Sequence, residues 1–199
     1  MSTAVVGRIG PNAIIQTAAA LRECVGDPRA LVLVRGATGY ALDAMPSEMV
    51  DETEVNRLVH ALHDELDPAL FAAVLRDAGV RTAGYLMAHR IPRPAQWLMA
   101  ALPAPLALRV LLAGIMRHTW TFAGTARVTL AHPAGQATRM VLTHCPMCRE
   151  LRTEAPACHF YAATLEHLLQ RLVTPGARVR EVACEALGDP SCAFELALR

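Results

Sequence analysis

Apolar residues recur at helical spacing through most of the first half of the chain. Over residues 11–25, Ile14, Ile15, Ala18, Leu21 and Val25 fall on one helix face. Gly26-Asp27-Pro28 reads as the stop of that helix. The short apolar run 30–34, broken by Gly36 and Gly39, fits helix and strand alike. Residues 51–66 carry Val55, Leu58, Val59 and Leu62 on one face of a second helix. Asp67-Pro68 opens a third, with the proline suited to its first turn. It carries Leu70, Phe71, Val74 and Leu75 and runs to about Leu86, with Gly79 and Gly84 as weak points. The stretch 97–116 is the most apolar of all. Pro103, Pro105 and Arg109 interrupt it, which predicts two short buried helices rather than a membrane span.

The period changes after Met116. Residues 119–131 read as a strand, 132–135 as a turn and 138–143 as the returning strand of a hairpin. A helix follows over 155–173, stopped by Thr174-Pro175-Gly176. Residues 178–186 and 191–198 then read as two strands around Gly188-Asp189-Pro190. The pattern predicts an α+β protein with a helical N-terminal half and an antiparallel sheet from two β-hairpins flanked by helices. Residues 1–50 read as an N-terminal helical extension and 51–199 as the main domain, the two forming one compact unit.

Composition narrows the chemistry. The 199 residues are 53% hydrophobic and 19% charged, which fits a packed domain rather than a disordered chain. A net charge of +1 argues against a nucleic-acid partner. All 19 basic residues are arginine, so Schiff-base lysine chemistry and a P-loop lysine are excluded. The three serines, Ser2, Ser47 and Ser191, form no nucleophile elbow. The opening residues lack a secretory pattern, so the expected location is cytoplasmic. There, six cysteines are free thiols or metal ligands rather than disulfides.

Cys184 and Cys192 alternate onto the apolar face of the last hairpin, at equal distance from its turn. Antiparallel pairing brings their thiols together. Cys158 starts the preceding helix, where a helix N-terminus favours a thiolate. The three are either ordinary core thiols or the basis of a tetrahedral zinc site. Cys145-Pro146-Met147-Cys148 is a second candidate, equally readable as a metal knuckle or as two loop thiols.

Residues 157–169, ACHFYAATLEHLL, and 181–196, EVACEALGDPSCAFEL, resemble the 4-vinyl-reductase domain family. Trp120 to Gly124, His144-Cys145-Pro146 and Cys148-Arg149 resemble its bacteriochlorophyll-pathway branch. The resemblance implies an antiparallel α+β fold similar to vesicle-tethering subunits and phenol-sensing regulators, often as a homodimer. It also implies a structural zinc on three cysteines and one glutamate: here Cys158, Glu181, Cys184 and Cys192. Strict strand alternation puts Glu181 and Cys184 on opposite faces, so joint ligation requires a bulge. In a regular strand the fourth ligand is Cys145, Cys148, His159 or water.

For function, the resemblance implies bacteriochlorophyll synthesis, with pathway enzymes as partners and a peripheral position at the photosynthetic membrane. The leading expectation is a protein that binds a tetrapyrrole intermediate and delivers it. The alternatives are an 8-vinyl (4-vinyl) reductase of divinyl protochlorophyllide and a small-molecule sensor acting through a partner. No dinucleotide fingerprint or iron–sulfur spacing is visible, and zinc supplies no electrons. The segment 97–116 would wall a pigment slot beside Trp97, Trp120 and Phe122. His118, His89 or His144 would ligate magnesium, and Arg117, Arg149 and Arg152 would face propionates. Each of these residues is also readable as core or solvated surface. His60 and His63, three apart on a helix, read as a solvated face that has metal-binding spacing.

Overall fold

The computed structural model describes residues 7–198. Residues 1–6, read above for a secretory pattern, lie outside it. The elements in chain order are β1 (Arg8–Ile9), α1 (Asn12–Val25), α2 (Asp27–Thr38), β2 (Val50–Asp51), α3 (Glu52–Glu65), α4 (Pro68–His89), α5 (Arg93–Ala101), α6 (Ala104–Arg117), β3 (Arg127–Ala131), β4 (Thr138–Thr143), α7 (His159–Leu172), β5 (Arg178–Ala183) and β6 (Cys192–Ala197). This is an α+β fold, as the change of period predicted.

The four-stranded sheet is antiparallel throughout, in the order β3-β4-β6-β5. Each hairpin keeps its own pairing, and β4 joins β6 to unite them. Helix α7 packs on β5, α4 packs on α7, and α1 packs on α4. The strands β1 and β2 pair through Ile9 and Val50, which ties the start of the described chain to the start of α3. One core runs from Ile9 through Val74 and Phe160 to Leu196.

Local chemistry accounts for the element starts. The Asp51 side chain accepts from the Thr53 N–H at the head of α3, and Asp67 accepts from Ala69 and Leu70 at the head of α4. Asp27-Pro28 does not end the helical run. It opens α2, with Pro28 in the first turn where no N–H partner is lost, and Gly39 at φ 82° closes it.

Two further expectations are corrected. Only Arg127–Ala131 of the run 119–131 is strand, because Thr119–Thr121 winds into a 3₁₀ turn capped by His118. Helices α5 and α6 form at 97–116 but are not buried. Met99 is the one buried residue of α5, and α6 buries only Ala107, Leu108, Leu111 and Leu112. Both touch α7, and their outer faces carry Trp97 (70% exposed), Leu98, Leu106 and Val110 into solvent. The wide pigment slot expected there is an open apolar face.

Candidate metal centre

The register of β4 against β6 builds the centre. Leu142 pairs with Cys192, so the loop leaving β4 lies beside the start of β6. That loop holds Cys145 and Cys148. The β5–β6 hairpin brings Cys184 to Cys192, and Cys158 stands at the N-cap of α7. All five thiols are free and fully buried.

Two sets of four donor atoms result, each with all atoms within 4.8 Å of one another. One is Cys158, Glu181, Cys184 and Cys192; the other is Cys145, Cys148, Cys158 and Cys192. The Sγ atoms of Cys145 and Cys158 lie 3.5 Å apart, those of Cys148 and Cys192 3.3 Å, and those of Cys158 and Cys192 3.5 Å.

Glu181 reaches the thiols because β5 is bulged. The register steps from Glu181↔Phe194 to Ala183↔Ala193, which makes Val182 an extra residue. The bulge turns Glu181 and Cys184 to the same side. Glu181 Oε2 accepts the Cys158 N–H at 2.9 Å, while its Oε1 is buried without a hydrogen-bond partner. Burial and the neighbouring Cys184 push this carboxyl up to about 8. Hydrogen bonds from Cys148, Cys158 and Cys192 hold the Cys184 thiol well below its ordinary range. Burial pushes Cys145 up, and hydrogen bonds with neighbouring thiols, Cys145 first, push up Cys148 and Cys158. One thiolate charge is thus held among five sulfurs. Ala157 N–H and Glu185 N–H approach Cys184 and Cys192 Sγ at 3.5 and 3.4 Å and favour negative charge there.

A second layer fixes the loop. The Glu185 carboxylate accepts the N–H groups of His144 and Cys145 at 2.6 and 2.9 Å. Asn56 donates to the carbonyls of Pro146 and Arg149, and His60 Nε2 donates to that of Arg149. Arg149 pairs with the buried Glu52 at 3.0 Å and donates to Thr125 and to the His144 carbonyl. Sequence reading missed Asn56, Glu52 and Glu185, which lie 40 or more residues from the loop contacts they make. The structure gives no support to several other assignments. Arg149 is held in this internal network rather than offered to a propionate. His60 holds the loop while His63 pairs with Asp64, so the two share no ion. His159 belongs to neither donor set; its ring meets Phe71 edge-on, and burial lowers it to about 4. His144 is exposed and hydrogen-bonds through its backbone, and Arg152 is exposed. His89 stacks on Tyr85 at the end of α4.

The remaining candidates lie after α6. Arg117, His118 and Trp120 are exposed, and His118 Nδ1 lies 2.8 Å from the Gly114 carbonyl.

Fold and centre together define an α+β domain whose sheet hairpin, helix start and cysteine loop converge on one buried cluster of sulfur. The 4-vinyl-reductase domain family matches residues 138–198, the segment that supplies every donor of that cluster. The chain belongs to the family of the bacteriochlorophyll synthase 23 kDa chain. It is 40% identical over 193 residues to the protein of that name from Cereibacter sphaeroides, covering 97% of this chain and 92% of the relative. With that from Rhodobacter capsulatus it shares 32% over 189 residues, 95% and 86% of the two chains. Among solved structures, one described as probing heme distortion in the H-NOX family aligns with TM-score 0.59 at 16% identity, over 96% of this chain and 95% of that one. Another, described as modulating heme redox potential through protein-induced porphyrin distortion, aligns with TM-score 0.55 at 14% identity, over 96% and 100%. At such identity the likeness concerns the fold alone.

Proposed function

We propose that this chain is a tetrapyrrole-binding accessory protein of bacteriochlorophyll synthesis, built around a structural zinc. The names of its two relatives support a place in that pathway, beside the enzymes that make the pigment. The observation that carries pigment binding is the ring of His118. A carbonyl only accepts, so the contact with Gly114 requires the proton on Nδ1. In the neutral ring that leaves the Nε2 lone pair facing solvent, which is the arrangement of an imidazole metal ligand with its second nitrogen already oriented. Exposed Trp120 follows two residues later, Arg117 precedes, and the apolar face with Trp97, Leu98, Leu106 and Val110 belongs to the adjoining helices. A magnesium tetrapyrrole matches this set: a metal for the histidine, a flat apolar body for the ring contacts, and a carboxylate for the arginine.

The zinc ligands are Cys158, Glu181, Cys184 and Cys192. The unpartnered, buried Oε1 of Glu181 is the observation on which the fit rests. A closed set of four protein ligands cross-links α7, β5 and β6 and leaves no open position for chemistry. Glu185 and the clamp on the cysteine loop support the ligands from outside. The same apolar face suits a peripheral position at the photosynthetic membrane, and no helix among the described residues is long and apolar enough to cross one. The homodimer is read by gel filtration.

Titration of magnesium protoporphyrin, followed by its visible bands, tests the pigment site. The wild type should give a saturable band shift, and His118→Ala should weaken binding about tenfold and remove the axial-ligand part of the shift. An identical shift and affinity in the variant would overturn the assignment of His118.

A further inference from the structure

The zinc set leaves two buried thiols, Cys145 and Cys148, beside its own sulfurs, and the fold goes to some length to put them there. The loop that carries them is bracketed by two non-glycine residues in the left-handed region, His144 at φ 62° and Glu150 at φ 64°. Such conformations persist where surrounding contacts enforce them. Here the contacts are Glu185 on the N–H groups of His144 and Cys145, Asn56 and His60 on the carbonyls, and Arg149 across the base. Within the loop the Cys145 carbonyl accepts from Cys148 and Arg149, which folds the C-x-x-C into a tight turn with both sulfurs inward.

We propose that the cluster holds two divalent ions of the zinc type, bridged by the thiolates of Cys158 and Cys192. The first ion takes Cys184 and Glu181 as its terminal ligands, and the second takes Cys145 and Cys148. The proposal rests on the zinc assignment above and extends it. Three observations carry it. The two donor sets share Cys158 and Cys192 and no other residue. Two tetrahedra with a common edge therefore account for all six donors. The shared edge is 3.5 Å, and the edge of a zinc–thiolate tetrahedron, from a Zn–S bond of about 2.3 Å, is about 3.8 Å. Each set is complete at four protein ligands, as closed structural sites require. Charge does not oppose the second ion: it enters as the thiols of Cys145 and Cys148 release one proton each, so the net buried charge is unchanged. Sulfur-rich donors at this spacing select zinc, cadmium or cobalt over magnesium or calcium.

The experiment is metal counting on the full chain produced in zinc-supplemented medium, by elemental analysis and native mass spectrometry. Two zinc ions per chain are expected. Cys145→Ser and Cys148→Ser should each reduce the count to one while gel filtration and far-UV circular dichroism stay unchanged. In the cadmium-113 protein, two resonances split by coupling through the shared sulfurs are expected, with one remaining in Cys148→Ser. One ion per chain in the wild type overturns the two-ion cluster and leaves the single zinc site standing. Two uncoupled resonances overturn the shared edge. A folded chain with no metal overturns both assignments. The wild-type count alone suffices for these outcomes, should a variant fail to fold.

Discussion

Glu181 and Cys158 are joined by a single hydrogen bond, from the Cys158 N–H to Glu181 Oε2, that leaves the other carboxylate oxygen buried and unpartnered. The bond links the bulged strand to the first turn of α7 and points the free oxygen at the thiols.

Removing the metal exposes the cost of that arrangement. In the metal-free chain, burial first and the charge at Cys184 second raise the Glu181 carboxyl from an ordinary 4.5 to about 8. A raised acid contributes stability that is complete below the ordinary value and is lost as pH rises through the folded one. Metal-free protein should therefore lose stability between pH 4.5 and 8, by up to about 1.4 kcal/mol per pH unit. Urea unfolding of the chelated and zinc-loaded forms across this range measures it. A flat profile for the chelated form contradicts the placement of Glu181.

Glu52 gives the opposite slope. Burial raises its carboxyl, but hydrogen bonds from the Thr125 hydroxyl and N–H and from Arg149 outweigh it, and the group sits below its ordinary range. Its contribution is present above about pH 4.5 and is lost as pH falls through the lowered value. Glu52→Ala strands Arg149 and loosens the cysteine loop, and should destabilise the fold by about 3 kcal/mol. Thermal or urea unfolding at neutral pH gives the number.

Gly79 sits where α4 crosses α7. A Cβ there would lie 2.4 Å from the Phe160 carbonyl oxygen and 2.9 Å from the Ala163 Cβ. Thr164 Oγ1 also donates to the Gly79 carbonyl across the same contact. Gly79→Ala should cost about 1–3 kcal/mol through this overpacking, despite alanine's better helix propensity. Gly84→Ala, with open space at its Cβ, should be neutral or stabilising.

Trp97→Ala separates binding from folding. The side chain is 70% exposed, so unfolding should change by no more than about 0.5 kcal/mol. Pigment affinity should fall severalfold. Unchanged affinity would move the pigment away from α5.

Much of this molecule is legible in its sequence, for reasons that differ by element. Helices α3 and α4 are visible because each pairs an aspartate cap with a regular apolar stripe. Cys184 and Cys192 are visible as neighbours because a hairpin fixes its own register. The lone Cys145–Cys148 pair is not, since it joins the cluster only through the β4–β6 pairing, a contact between distant segments. Gly79 reads as a weak point of its helix, yet it is the close approach that lets α7 pack. Asp27-Pro28 is ambiguous in principle: the pair that ends one helix can equally open the next. The exposure of α5 and α6 is invisible because apolar composition records hydrophobicity and not which neighbour covers it.

The central claim is that this chain holds a pigment without transforming it. Its most direct test is titration with divinyl protochlorophyllide, with and without NADPH, followed by visible absorbance and product analysis. The account predicts a saturable shift that is the same in both arms, with divinyl pigment recovered intact. A blue shift that grows with time only when NADPH is present, with monovinyl product, would contradict it and make the chain a vinyl reductase.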